Sequence, residues 1–106
     1  MTNDTLDAEV RRLQEQTEQR RMDLLRTDLD FCHALARLAE SKIGLGNYRH
    51  AVPTLDRAVH GYVEIQRLLG QRNGWDENAT KEITQKLAVL RHDLDRLQQL
   101  VQAGVT

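Results

Sequence analysis

The sequence has one cysteine, Cys32, and one proline, Pro53, in 106 residues. A lone cysteine excludes an intrachain disulfide framework and fits a reducing compartment. Aromatic residues are equally scarce, with Phe31, Tyr48, Tyr62 and Trp75 making up 4% of the chain. Neither charge sign is in excess: 15 basic and 16 acidic residues leave a formal charge of −1. Nucleic acids and anionic membranes both select a basic surplus, so neither is an expected partner. No stretch approaches the ~18 apolar residues of a membrane span. The segment MTNDTLDAEVRRLQ lacks the apolar centre of a secretory signal. A cytoplasmic location is the resulting expectation. Valine and isoleucine are few, and no stretch alternates apolar with polar residues as a half-buried strand would.

What remains is rich in Leu, Ala, Glu, Gln and Arg, residues that lose little side-chain freedom in a helix. Two clusters interrupt the helical pattern, Gly44-Leu45-Gly46-Asn47 and Gly70-Gln71-Arg72-Asn73-Gly74. Gly and Asn tolerate the left-handed backbone that ends helices. They divide the chain into helical segments over about residues 5–43, 47–69 and 75–102. The expected fold class is all-α: a single domain over 1–106 of three antiparallel helices with an over-long first helix.

The first segment carries a long heptad seam: Leu6, Val10, Leu13, Thr17, Arg20, Leu24, Thr27, Phe31, Ala34 and Leu38, spaced alternately by four and three. A second seam begins later, with Leu25, Leu29, Cys32, Ala36, Ala39 and Ile43. The C-terminal half of this helix should therefore touch two neighbours. Its N-terminal half, up to about Arg21, has one thin seam, interrupted by Thr17 and Arg20. Segment two places Ala51, Leu55, Ala58, Tyr62, Ile65 and Leu69 on one stripe, and segment three Ile83, Leu87, Leu90, Leu94, Leu97 and Val101. Pro53 should either bend the second helix or end a separate turn before it. Asn47 is the expected cap of segment two, and Asn73 or Asp76 that of segment three.

At 1.5 Å per residue the segments span about 58, 34 and 42 Å. Short connections make consecutive helices antiparallel neighbours. The first helix should then project over residues 5–21 beyond at least one partner, in a coiled-coil-like stretch. A lone helix of that size is marginal in water unless its seam is covered. The simplest cover is the same helix in a second copy, so a homodimer is expected.

The stretch LARLAESKIGLGNYRHAVPTLDRAV, from Leu35, resembles one tetratricopeptide repeat, covering about residues 32–65. Leu35, Leu38 and Ala39 match the large–large–small sites of that family's first helix, and Gly46-Asn47-Tyr48 its turn. Ala51, Leu55 and Ala58 match the small–large–small sites of its second helix. Lys42, Pro53 and Val63 depart from the pattern, and the repeat occurs once. With segment three, the region also resembles the three-helix microtubule-interacting-and-transport domain. Both resemblances imply binding of another protein or a helical peptide, in the first case along Leu35–Lys42 and Ala51–Ala58.

Residues of catalytic type are present without a catalytic arrangement. His33, His50, His60 and His92 never stand three or four apart, as helical metal ligands would. His33 lies on a helix in a chain the size of a histidine phosphotransfer domain. Ala36 and Arg37 stand where that family carries its Lys-Gly step. Cys32 falls on an apolar seam, as a small buried hydrophobe does. Gly44-Leu45-Gly46 lacks the Lys-Ser/Thr of a phosphate loop. Arg11-Arg12 and Arg20-Arg21 have Glu9, Glu15, Glu18 and Asp23 as nearby counter-ions. No catalytic residue, cofactor or metal is therefore expected. The candidate partner-binding residues are Leu6, Val10, Leu13, Thr17, Arg20 and Leu24, with Tyr48 and Trp75 at the loops as lids or anchors.

Overall fold

A computed structural model describes residues 2–71 and 76–105. They form three helices and, among the described residues, no strand: α1 (Thr2–Gly44), α2 (Tyr48–Gly70) and α3 (Glu77–Val105). Asn73 and Trp75 lie outside the described residues.

The α1–α2 turn closes as a Schellman motif. Gly46 takes φ 75° and its N–H donates to the Ile43 carbonyl at 2.9 Å, while Asn47 N–H donates to the Lys42 carbonyl at 2.8 Å. Two carbonyls left open by the end of α1 are thereby satisfied. Asn47 stands at the N-cap of α2 without a side-chain cap bond. Its carbonyl accepts from the Ala51 N–H at 3.1 Å. The helix passes through Pro53 without a break, so no separate turn precedes it. Asp76 caps α3: its two carboxylate oxygens accept from the N–H groups of Asn78 and Ala79 at 3.4 and 3.3 Å. The last helix runs past residue 102 to Val105, and the Tyr48 ring packs directly on Gly104, leaving no room there for a Cβ.

The core uses one seam of α1. Met22, Leu25, Leu29, Cys32, Ala36 and Ala39 are buried together with Leu55, Ala58, Ile65 and Leu69 of α2 and Ile83, Leu87, Leu90, Leu94, Leu97 and Val101 of α3. Each fully buried Leu or Ile, such as Leu29, Ile65 and Leu90, contributes about 1.5–3 kcal/mol. Small residues set the α1–α2 spacing. A Cβ at Gly61 would collide with the Cys32 Sγ, and Ala39, Ala51 and Ala58 are fully buried. Lys42 Nζ donates to the buried Thr54 hydroxyl at 2.9 Å, which in turn donates to the His50 carbonyl at 3.3 Å.

Two ion pairs join α3 to α1, which it parallels: Arg26 with Glu82 at 3.4 Å and Arg96 with Glu40 at 2.6 Å. Both join residues the same distance apart in sequence, which sets one register. In that register α3 begins beside Arg21 of α1. Met22 is the first buried residue of α1, and residues 4–21 are exposed apart from a half-buried Glu18. The molecule is correspondingly long, 71 × 18 × 16 Å.

The C-terminal half of α1 touches two neighbours, α2 and α3, but through one seam only. Both α2 and α3 pack on the seam of Leu25, Leu29 and Cys32, because two helices can share one groove-lined stripe when its residues are as small as Cys32, Ala36 and Ala39. Leu24, Phe31 and Leu38 on the other seam stay exposed.

Candidate interaction surface

The uncovered seam runs the length of α1. Heptad periodicity places Leu6, Leu13, Arg20, Thr27 and Ala34 at d positions and Val10, Thr17, Leu24, Phe31 and Leu38 at a positions. The buried seam occupies b and f. At 3.6 residues per turn the two seam centres lie about 150° apart around the helix. The a/d face therefore looks away from α2 and α3, and every one of its ten residues is exposed. Leu24 and Phe31 are 63% and 62% exposed although they lie within the three-helix part.

Two polar members of the seam have their hydrogen bonds satisfied locally. Thr17 Oγ1 donates to the Leu13 carbonyl at 2.9 Å and Thr27 Oγ1 to the Asp23 carbonyl at 3.0 Å. Each hydroxyl is thus occupied within its own helix, and its methyl group is left to pack. Arg20 forms no ion pair among the described residues. The flanks are charged: Arg12 pairs with Glu9 at 3.0 Å, while Asp23 accepts from Gln19 at 3.1 Å and Arg26 at 3.2 Å. The pairing expected around Arg20 and Arg21 is thus satisfied by Arg26 instead, one turn from Asp23 on the α3 side.

The structure brings Leu6, Val10, Leu13, Thr17, Arg20 and Leu24 onto this one face. Tyr48 is elsewhere, half-buried against Gly104, and Trp75 is outside the described residues. Phe31 and Leu38 extend the same surface. They are seam residues in the sequence, which does not say whether a helix of the same chain covers them.

A second surface lies between α2 and α3. Two adjoining depressions of 270 and 250 Å³ share Val59 and Gln98, and are flanked by the exposed Val52 and Val63. The faces Leu35–Lys42 and Ala51–Ala58 form no groove, since Leu35, Ala36, Ala39, Ala51, Leu55 and Ala58 are buried in the hairpin.

The residues of catalytic type are scattered. Burial, reinforced by nearby Asp28, pushes the Cys32 thiol up and away from the thiolate. His33 is half-buried, while His50, His60 and His92 are exposed; His60 Nδ1 lies 2.8 Å from the Asp56 carbonyl. Among the described residues no three His, Cys, Asp or Glu converge as metal ligands would. No described helix is long and apolar enough to cross a membrane. No protein-family model, curated protein or solved structure matches the chain.

Proposed function

We propose that this chain is a non-enzymatic protein–protein interaction module that self-associates through the a/d seam of α1. One observation carries the reading: apolar residues at heptad spacing stay exposed from Leu6 to Leu38, including where α2 and α3 already cover the other side of the helix. A helix that needed only its own bundle would be polar there. Seven of its ten positions are apolar, with Thr17, Arg20 and Thr27 interrupting them, and they line up on one face rather than scatter over the surface. A heptad seam selects a second heptad seam, and this chain supplies one in every copy.

The test is the native mass of two variants. Val10→Glu/Leu13→Glu and Phe31→Glu each insert charge into the seam outside the core. Both are expected to lower the mass to that of one chain while keeping the three-helix core folded, with helix lost at most over the uncovered residues 4–21. An unchanged mass in both would contradict the reading.

A second reading has its own observation. The α2–α3 depressions, flanked by Val52 and Val63, would take one amphipathic peptide, as the resemblance to the microtubule-interacting-and-transport domain implies. The burial of Ala51 and Ala58 on α2 agrees with the Ala-rich second helix on which that resemblance rests. A Val52→Glu/Val63→Glu variant should abolish such binding and leave self-association intact.

A further inference from the structure

We infer that the second copy lies antiparallel along the whole a/d seam of α1, centred on residue 22, so that the overhang of each copy covers the bundled part of the other. The inference rests on the self-association proposed above and adds its extent and direction.

Extent follows from area. The part of the seam from Leu6 to Arg20 is about 22 Å long, and a strip ~10 Å wide gives roughly 450 Å² over two copies. That is the size of an incidental contact. Continued to Leu38, the strip is about 50 Å long and gives roughly 1,000 Å² over two copies, the threshold of a specific interface. The overhang alone is too short, so Leu24, Phe31 and Leu38 belong to the interface.

Direction follows from which residues meet. In a parallel pair Arg20 would face Arg20 of the other copy inside the seam. Asp23 would meet Asp28, twice by symmetry. An antiparallel pair centred on residue 22 removes both conflicts, while Lys42 is held by the Thr54 hydroxyl of its own chain in either arrangement. Leu6 then faces Leu38, Val10 faces Ala34, Leu13 faces Phe31, and Arg20 faces Leu24 of the other copy. Thr17 faces Thr27, the two seam residues whose hydroxyls are already bonded to their own helices. Glu9 comes beside Arg37, twice. The like-charged neighbours that remain are at the dyad, Arg21 with its mate and Asp23 with its mate. Each Asp23 is already held by Arg26 and Gln19. The arrangement is sterically open, because α2 and α3 of each copy sit about 150° from the seam.

Spin-label distance measurement on the full chain distinguishes the outcomes. A nitroxide is attached at Ala8→Cys, an exposed position facing away from the seam, in a Cys32→Ala background, with Cys32→Ser as a second background should the first lose its helical spectrum. The antiparallel pair predicts a label separation of about 45 Å, and a parallel pair about 25 Å. The long distance is expected. The short distance overturns the antiparallel arrangement and leaves self-association standing. No dipolar coupling, with a mass of one chain, overturns both and reserves the seam for a different helix.

Discussion

Leu24 and Leu25 are consecutive in α1, about 100° apart around the helix, yet Leu25 is 3% exposed in the three-helix core and Leu24 is 63% exposed. The pair marks where the two seams of the helix run side by side. One seam builds the fold and the other is left over. The two residues therefore give opposite results under the same substitution. Leu25→Glu buries an unpaired charge and should cost more than about 3 kcal/mol, enough to unfold most of the molecule in a denaturant titration. Leu24→Glu should keep the three-helix core folded and lower the native mass.

Cys32 and Gly61 are coupled by lack of space. In an exposed helix Gly→Ala would stabilise by about 1 kcal/mol. Here the added methyl meets the Cys32 Sγ, so Gly61→Ala should instead destabilise by about 1–3 kcal/mol. In a Cys32→Ala background the same substitution should be neutral or stabilising. A double-mutant cycle by urea unfolding reads the coupling.

The Asp76 carboxylate caps α3 through Asn78 and Ala79. Asp76→Ala should cost about 1 kcal/mol. The loss should show first as faster amide exchange in the opening turn of α3, ahead of the turns around Leu90.

Acid should loosen the α1–α3 register. The hydrogen bond from Lys86, with the nearby Arg26 guanidinium, holds the Glu82 carboxyl below its ordinary value. A folded-state value below the unfolded one means that the contribution is complete above the unfolded value, about 4.3, and is lost as pH falls below it. Glu82→Gln should therefore flatten the fall of stability over that acid range and leave the neutral-pH fold intact. Glu82 is half-buried with its carboxylate at the surface, so the effect should weaken with added salt.

Much of this architecture was legible from spacing. The Gly44–Asn47 turn, the Asp76 cap and both α1 seams follow from local pattern. What the spacing did not decide was which seam would be covered, because two stripes of equal period look alike until their neighbours are placed. Cys32, Ala36 and Ala39 were the available signal, since small residues admit close helices. Gly61 and Gly104 sit inside helical pattern without breaking it. Their role is to admit the Cys32 sulfur and the Tyr48 ring, contacts between residues distant in sequence that no local pattern records. For the same reason Tyr48 reads as a loop aromatic in the sequence, while in the fold it packs against Gly104 on the last helix.

The central claim is that the a/d face from Leu6 to Leu38 is covered by a second copy of the chain. Sedimentation equilibrium of the unmodified protein over a range of concentrations tests it most directly. The account predicts a mass approaching twice 12.2 kDa as concentration rises, falling to 12.2 kDa in Phe31→Glu. A mass of 12.2 kDa at every concentration, unchanged in Phe31→Glu, would contradict it.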